Sequence, residues 1–438
     1  MTALLCTCGR QFQDWTAAYR LFSRKRFDPA AAFTVIRRDL LAQLPADQPL
    51  CVAMDDSLLP KTGTKIPGVG WRRDPLGPKF QTNLVRAQRI LQLSAALPPR
   101  DAPGPTRTIP IDFAHVPTPP KPRKTASAEE QKNYRLARQA ASMSRHGAQH
   151  AAALRQALDL DPGQAQRELR MLVDGRFTNQ TFLRRVPQRT AVIGRIRKDA
   201  KLYYPPVPSG DTRRGRRPAY GKLAPTPEQL RQDDSVPWQT ARVFAAGKQH
   251  EFKFKALADL RWRPAGPGKG LTLVVIAPLS YRPSQNSRLL YREPAYLICD
   301  DPQLPAAEIV RNYPWRWEVE VNFREEKTVL GIGQAQVRHP ASVELEPALG
   351  VVSYAMLLLA DTHRTLQSRV TLPPAKWNAH TVPQRTSTQQ LVNDLREEVW
   401  GRGLGLDNFS GFNVAAAPDV KPQKFELHPA SAVLYCRN

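Results

Sequence analysis

The segment from Tyr313 to Lys327 holds the residues whose types and spacing are most suggestive of chemistry. If it is a helix, each residue turns by about 100°, and Glu320 then shares a sector of about 60° with Tyr313, Arg316 and Lys327. The glutamates that point at least about 100° away from this face are Glu318, Glu325 and Glu326. One carboxylate is therefore singled out between two cations, an arrangement that suits metal and phosphate chemistry.

Two further acidic motifs follow short apolar runs. The run Cys51–Met54 predicts a buried strand that ends at Asp55 and Asp56. The run Met171–Val173 predicts a second strand that leads directly into Asp174. Carboxylates at neighbouring strand ends, joined by one from a helix, can bind two divalent cations about 3.5–4 Å apart for displacement at phosphorus. An aspartate before glycine is also a common turn former, so periodicity alone leaves both interpretations open.

The rest of the pattern predicts the elements that must hold these acids. Residues 1–48 have apolar positions at helical spacing, and Ala126–Leu160 has the composition of one or two helices. Phe80–Leu97 is strand-like, and several strand-like segments lie within residues 198–304. A proline-rich connection is predicted over Pro98–Lys124.

Composition indicates the class of partner. The 438 residues include 64 Lys and Arg against 39 Asp and Glu, a net charge of +25, which usually indicates a polyanionic partner such as nucleic acid. The basic stretch Arg184–Arg217 ends in a cluster for which we expect contact with a DNA backbone. That cluster consists of Arg213, Arg214, Arg216 and Arg217.

Cysteines and apolar runs indicate the compartment. Five scattered cysteines argue against a zinc site and for a reducing cytoplasm. No basic segment followed by an apolar stretch begins the chain, so no signal peptide is expected. The longest apolar run, near Leu349–Ala360, is shorter than a bilayer span and predicts a buried helix.

The four positions Tyr313, Arg316, Glu320 and Lys327 resemble the Tyr-Arg-Glu-Lys signature of DDE transposases from bacterial insertion sequences. Other segments resemble further motifs of that group, over roughly residues 50–365. The first-aspartate region is matched by Asp55-Asp56-Ser57 and Pro60-Lys61-Thr62-Gly63, and the second by Asp174-Gly175-Arg176-Phe177 and Arg195-Ile196-Arg197-Lys198-Asp199. One departure from the group is Phe177, where tyrosine is commoner.

The resemblance implies an α/β fold with an RNase H-like core, in which helices flank a mixed sheet. It also implies a strand-rich insertion and, with the helical spacing, a small helical N-terminal region. The predicted division is a helical N-terminal region that could contact DNA (1–48), a first core part (49–197), a basic insertion (198–304), a second core part with the glutamate helix (305–365) and a C-terminal tail (366–438).

The resemblance also implies residue roles. The metal ligands would be Asp55 or Asp56, together with Asp174 and Glu320, holding two Mg²⁺ ions, with Mn²⁺ as an alternative. Asp55 is favoured because it directly follows the apolar run, and Asp56 stays open. The residues expected to contact phosphates or position the transposon end are Tyr313, Arg316 and Lys327.

The function implied is that of a cytoplasmic, nucleoid-associated transposase. It would bind terminal inverted repeats, cut DNA at these ends and join the 3′-hydroxyls to target DNA. A homodimer on DNA is expected, and no membrane partner. Two alternatives stay open: a non-catalytic DNA-binding derivative and an RNase H-like nuclease.

Other candidates match no motif of the group. Asp112 and Asp300 lie beside strand-like segments and are interpreted as structural. Asp199 is interpreted as a surface partner of a neighbouring cation. Trp315 and Trp317 are interpreted as packing against the core.

Overall fold

The computed structural model describes residues 5, 12–75, 77–78, 80–99, 104–207, 218–245, 247–282, 287–367 and 385–403. The chain divides into two compact units. The sheet unit comprises Ala42–Leu58 and Gly68–Phe323, and the helical unit comprises Met1–Leu41, Leu59–Pro67 and Arg324–Asn438.

In chain order, the strands are β1 (Leu50–Pro60), β2 (Gly70–Arg73), β3 (Leu84–Leu97), β4 (Arg107–His115), β5 (Leu169–Val173), β6 (Thr190–Arg195), β7 (Leu202–Tyr203), β8 (Gln239–Ala245), β9 (Lys248–Trp262), β10 (Gly266–Ile276), β11 (Ser280–Tyr281), β12 (Leu290–Tyr291) and β13 (Ala295–Cys299). The helices are α1 (Thr16–Ser23), α2 (Pro29–Gln43), α3 (Ala128–Ala140), α4 (Met143–Asp159), α5 (Gln180–Leu183), α6 (Pro227–Gln232), α7 (Ala306–Asn312), α8 (Trp317–Thr328), α9 (Pro340–Gln367) and α10 (Thr388–Gly403), and Tyr313–Arg316 is a 3₁₀ turn.

An 11-stranded mixed sheet dominates the sheet unit. Its order is β2-β3-β1-β5-β6-β13-β10-β9-β7, with β4 paired to β3 and β8 paired to β9. The central strands β1, β5 and β6 are parallel. Strand β5 is buried along its whole length, which is why Met171–Val173 forms an apolar run before Asp174. The predicted fold class, a mixed sheet flanked by helices, is confirmed.

The strands predicted as an insertion continue this same sheet. Strand β13 pairs antiparallel with β6, β10 pairs with β13, and β9 pairs with β10. Strands β7 and β8 both pair with β9. These pairings add strands to the core sheet beyond β6 and make the sheet wider.

The prediction of a proline-rich connection over Pro98–Lys124 is wrong in its middle, because β4 lies there. Alternate residues of β4 are apolar and buried, among them Ile109 and Ile111. Pro110 lies opposite Ser94, where the β3–β4 register shifts. An irregularity of this kind accommodates a residue that lacks an N–H donor, so the proline does not end the strand.

Two local predictions about the acidic motifs need correction. Strand β1 does not end at Asp55 and Asp56 but continues to Pro60, although its pairing with β5 stops at Met54. The signature segment is not one regular α-helix, because its first four residues form the 3₁₀ turn and α8 begins at Trp317. Pro314, at the start of that turn, has no N–H to donate, which favours a break between α7 and α8.

One part of the core of the sheet unit lies between the sheet and α7. Ile309 and Val310 of α7 are fully buried against strand residues such as Leu172 and Ile193. Tyr313 and Trp315 pack against the same cluster. This packing anchors the start of the signature segment on the central strands.

The helical unit contains α1, α2, α9 and α10. Phe22 of α1 is buried against Ala341 and Leu345 of α9. The predicted buried helix is part of a longer helix, α9. Its segment Pro340–Arg364 is long and apolar enough to cross a membrane by length and composition alone, but 56% of the most apolar stretch of this segment is buried within the protein. That test is also passed by the core helix of a globular domain.

Candidate active site

The candidate site lies where the parallel strands β1 and β5 stop pairing. Met54 and Val173 are the last partners in their register, and Asp55 and Asp174 are the next residues of the two strands. Because the strands are parallel and hydrogen-bonded, this register brings the two aspartates side by side at one edge of the sheet. The predicted proximity of these acids is therefore present in the structure.

Asp55 is a carboxyl group whose surroundings disfavour its charged form. Burial raises its pKa to about 7, the negative charge of Asp174 adds to the shift, and the Arg316 guanidinium opposes it. Burial also raises the pKa of Asp56, against the opposing charge of Arg176. Burial thus disfavours the charged form of both aspartates in spite of the arginine beside each of them.

Arg316 joins the strand ends to the signature helix. Its Nη1 donates to Asp55 Oδ2 at 3.1 Å, and its Nη2 donates to Glu320 Oε1 at 2.7 Å. Its guanidinium carbon lies 6.0 Å from the centre of the Tyr313 ring. Burial acts to lower the pKa of Arg316, but the charges of Tyr313, Asp55 and Glu320 outweigh it and raise this pKa. The structure therefore brings together Tyr313, Arg316, Glu320 and Asp55.

The break in the helix improves this alignment. In a 3₁₀ turn, residues three apart lie one above the other, so Tyr313 and Arg316 share a face. Glu320 then follows Arg316 by one α-helical turn, the spacing at which opposite charges pair. The correction to the helix leaves the predicted grouping of these three residues intact.

Asp56 has a different partner from Asp55. Arg176 Nη1 donates to both of its carboxylate oxygens, at 2.7 and 2.6 Å. The Asp56 side chain is 5% exposed and that of Arg176 is 54% exposed, so the arginine covers the acid from the solvent side. The backbone N–H of Arg176 donates to Asp174 Oδ1 at 2.9 Å. Asp174 therefore does form a turn as well as standing beside Asp55.

The carboxylates fit a divalent metal in type, since Mg²⁺ prefers hard oxygen ligands. Four acids gather here, and within the described part of the chain the arginine side chains that contact them are those of Arg316 and Arg176. Within the described part of the chain, no three His, Cys, Asp or Glu side chains already form a metal-holding group. Arg316 lies between Asp55 and Glu320, so a cation shared by these two acids would displace one of its bonds. The assignment of the ligands stays a prediction.

The remaining predicted residues lie elsewhere. Lys327 belongs to the helical unit, where burial lowers the pKa of its ammonium group and Glu326 opposes the shift. Trp315 is packed as expected, whereas Trp317 is 60% exposed and does not pack as predicted. The residues of the basic cluster that lie outside the described part of the chain are Arg213, Arg214, Arg216 and Arg217.

The three acids interpreted as structural have partners of their own. Asp112 Oδ2 lies 2.6 Å from His150 Nδ1. Asp300 accepts hydrogen bonds from Lys269 Nζ at 2.7 Å and from the Val192 N–H at 2.6 Å. Asp199 is paired with Arg197, as expected. None of these contacts involves the acids of the candidate site.

Sequence reasoning missed the role of Arg176 as the partner of Asp56. The signal was present, because Arg176 follows Asp174 by two residues in the motif Asp174-Gly175-Arg176-Phe177. A further arginine, Arg89 of β3, acts on Asp56 through its charge. No local pattern connects it with Asp56, because the two residues are brought together only by strand order.

Comparison with protein families agrees with this geometry. Residues 9–263 match the model of a family described as DDE superfamily endonuclease. The matched range contains Asp55, Asp56 and Asp174 and ends before Glu320. No curated protein matches the chain. Because the family model covers more than half of the 438 residues, the chain belongs to the DDE superfamily of endonucleases, nucleases that act on DNA.

Proposed function

We propose that this DDE endonuclease is a transposase of an insertion sequence, of the group with the Tyr-Arg-Glu-Lys signature. It cuts DNA at the ends of its element and joins the freed 3′-hydroxyls to target DNA. Each joining step exchanges one phosphodiester for another, so no covalent enzyme intermediate is needed.

The observation that carries this proposal is the double contact of Arg316. One guanidinium reaches Asp55 on β1 and Glu320 on α8 and lies near the ring of Tyr313, so three typed positions of the signature are joined to one aspartate of the sheet. A helix that merely covered the sheet would have no need of an arginine that holds its glutamate and an aspartate of β1 together. The grouping is that of a site for phosphoryl transfer.

Residue roles follow from charge and position. Asp55, Asp174 and Glu320 would hold divalent cations, with Asp56 as the alternative to Asp55. Bound there, two Mg²⁺ ions would activate the attacking oxygen and stabilise the leaving oxygen of the phosphodiester. Arg316 is the group that can pass from carboxylate to phosphate, because its planar fork binds either one through two N–H donors.

Assembly and end recognition belong to the same proposal. Two element ends must be joined in one reaction, which favours a homodimer on DNA. The helical N-terminal region, the basic strands of residues 198–304 and the C-terminal tail are the candidates for base-specific contact. The cluster ending at Arg217 would add backbone contacts, and Tyr313, Arg316 and Lys327 would position the cut end.

The test is a cleavage assay with DNA that carries the inverted repeats flanking the gene. Wild-type protein with Mg²⁺ is expected to cut at the repeat ends and to yield joined products. Glu320→Gln is expected to abolish both products while DNA binding persists. Glu318→Gln, two residues away on the same helix and outside the Arg316 contact, serves as the matched control and should retain activity.

The outcomes separate the alternatives. Cleavage without joined product would identify a nuclease that does not transpose. Equal products from wild type and Glu320→Gln would exclude the glutamate from the reaction. Binding without any cleavage by the wild type would indicate a non-catalytic derivative. Loss of cleavage in Asp55→Asn but not in Asp56→Asn, or the reverse, would identify the first ligand.

A further inference from the structure

A second, strongly basic site lies beside the carboxylates. It is a cavity of about 300 Å³ in the sheet unit, with room for roughly ten water molecules at about 30 Å³ each. We call it the arginine pocket. Its lining residues are Arg72, Arg89, Pro119, Arg138, Ala141, Ser142, Met143, Ser144 and Arg176.

Four elements contribute one guanidinium each. Arg72 comes from β2, Arg89 from β3, Arg138 from the last turn of α3, and Arg176 from the turn after β5. Neighbouring positive charges disfavour the charged form of an arginine, and the pKa values of two of these arginines are lowered. Burial and the positive charges of Arg72 and Arg176 lower the pKa of Arg89 to about 10. Burial and the positive charges of Arg176 and Arg138 lower the pKa of Arg72.

Two of these arginines carry buried donors that are not satisfied. The Nε atoms of Arg72 and Arg89 are buried and have no hydrogen-bond partner within the described part of the chain. Arg89 is only 8% exposed, and its Nη2 donates a hydrogen bond to the carbonyl oxygen of Ala141. The Nη2 of Arg72 donates to the hydroxyl oxygen of Thr118. A buried N–H without an acceptor is unfavourable, and an anion in the pocket would supply the missing acceptor.

Backbone groups add to the attraction for an anion. Helix α4, of 17 residues, begins at the pocket, and its N-cap Ser142 makes no side-chain capping bond. The first N–H groups of a helix have no acceptor within it and lie at the positive end of its dipole. They favour the same kind of ligand as the arginines.

The carboxylate whose charge reaches both Arg72 and Arg89 is Asp56. It is held by Arg176, which lines the pocket and contacts Asp56 at the same time. One arginine thus joins the pocket to the candidate active site. An anion in the pocket would compete with Asp56 for this guanidinium.

We propose that the arginine pocket binds a backbone phosphate of the DNA next to the one being cut, and that Arg176 transfers from Asp56 to this phosphate. The inference rests on the proposed function only in taking DNA as the substrate. When the DNA strand binds, Asp56 is released from Arg176 and lies uncovered beside Asp55. Arg176 is a positioning residue in this account, because it acts through the carboxylate that it covers.

The first test measures binding alone, with the full chain, EDTA and a fluorescein-labelled duplex of about 20 base pairs and arbitrary sequence. Fluorescence anisotropy gives the dissociation constant as KCl is varied between about 50 and about 200 mM. Arg72→Gln and Arg138→Gln, both at positions with solvent access, are each expected to reduce the salt slope by up to about 0.9, the value for one phosphate contact. Slopes equal to that of the wild type, in variants that melt at the wild-type temperature, would overturn the proposal.

The matched control removes an arginine far from the pocket. Arg189 is 51% exposed and directly precedes β6, and because β5 and β6 are parallel it lies at the edge of the sheet opposite Arg176, which follows β5. Arg189→Gln lowers the net charge by the same amount and should leave the slope unchanged. A reduction as large as that of Arg72→Gln would show that only overall charge matters, and would also overturn the proposal.

A second arm distinguishes DNA from a free anion. If sodium phosphate raises the melting temperature of the wild type but the arginine variants keep the wild-type salt slope, the pocket serves a small anion and the DNA assignment fails. Asp174→Asn is expected to keep the full slope while losing cleavage. A reduced slope in the arginine variants therefore supports the pocket even if the protein never transposes.

The transfer of Arg176 has its own readout. Without DNA, Arg176→Gln should bind Mn²⁺ about 2–5-fold more tightly than the wild type, because the guanidinium that covers Asp56 no longer balances the negative charge of the acids, an effect of up to about 1 kcal/mol. Arg189→Gln should bind it as the wild type does. Equal Mn²⁺ affinities for wild type and Arg176→Gln, measured by electron paramagnetic resonance, would refute the transfer.

Discussion

Two buried aspartates of the sheet unit, Asp55 and Asp300, look alike in sequence and differ in setting. Each directly follows an apolar run that forms a strand, and burial raises the pKa of each. Their side chains are 15% and 3% exposed. Burial alone therefore does not separate an acid that performs chemistry from one that supports the fold.

The two differ in how their charge is balanced. Asp300 has Lys269 as its own cation and takes a backbone N–H from Val192. Asp55 shares Arg316 with Glu320 and stands beside Asp174, another acid. Asp300 thus has a cation of its own, whereas Asp55 shares its cation with a second carboxylate and lies beside a third.

Strand direction explains the difference. Strand β13 runs antiparallel to β6, so its end at Asp300 lies near Val192, close to the start of β6. Strands β1, β5 and β6 are parallel, so Asp55, where β1 stops pairing with β5, and Asp174, directly after β5, lie at the opposite edge of the sheet. An acid after a strand joins the site only if its strand points to that edge.

The largest expected difference between the two kinds of acid is in DNA cleavage. Asp174→Asn is expected to lower Mg²⁺-dependent cleavage at least about 10³-fold, because the proposed function makes Asp174 one of the metal ligands. Asp112→Asn, an acid of the same sheet with its own partner, should cleave within about twofold of the wild type. A single-turnover assay compares the two, and equal losses would mean that the distinction between the acids is unfounded.

The second prediction concerns the cost of the candidate site to stability. Asp55 binds its proton more tightly when folded than when unfolded, since its folded pKa is about 7 against about 3.9 unfolded. The free energy of unfolding should therefore fall as pH rises from about 4 to about 7, by at most about 4 kcal/mol from this group. Asp55→Asn in EDTA should flatten this decline. Urea titrations at several pH values measure it, and an unchanged decline would contradict the prediction.

The third prediction is that the stability of the protein depends on the cation that pairs with Asp300. Lys269→Met leaves Asp300 buried without a cation and is expected to lower the free energy of unfolding by about 3 kcal/mol. Arg261→Met, which breaks the exposed pair with Asp259, should change it by less than about 1 kcal/mol. Chemical denaturation of both variants is the measurement. Equal small effects would show that Asp300 does not depend on its lysine.

The smallest expected effect concerns a second structural acid, Asp112, and the pH dependence of stability that it shares with His150. Burial acts to lower the pKa of His150, but the hydrogen bond and charge of Asp112 outweigh it and raise this pKa. The pair therefore stabilises the fold fully below pH about 6.5, and this contribution, up to about 1 kcal/mol, is lost as pH rises through the folded pKa of His150. In Asp112→Asn that loss should be absent, as denaturation between pH about 5 and about 8 would reveal.

Much of the fold was predictable because its signals are local. The parallel strands β1, β5 and β6 appear as apolar runs, and α3 and α4 appear through composition. Strand β4 was missed because Pro110 suggested a loop, and only its pairing with β3 makes the proline tolerable. The joining of β13, β10 and β9 to the core sheet depends on long-range pairing that no local pattern contains.

The sequence by itself determined the candidate acids and the choice among the glutamates. Glu320 was separated from Glu318 by helical periodicity, which is a property of neighbouring residues, and the contact between Glu320 and Arg316 agrees with it. The 3₁₀ turn did not disturb that grouping. The assignment of these acids as metal ligands stays a prediction.

Only the tertiary structure decided which cations meet the acids. Arg316 reaches Asp55 across 261 positions of sequence, and Arg176 reaches Asp56 across 120. The arginine pocket combines residues of two strands, a helix and a turn, and Asp300 is kept from the site by the direction of β13. The physical reason is that charges interact through space, and the order and direction of the strands determine which charges are close.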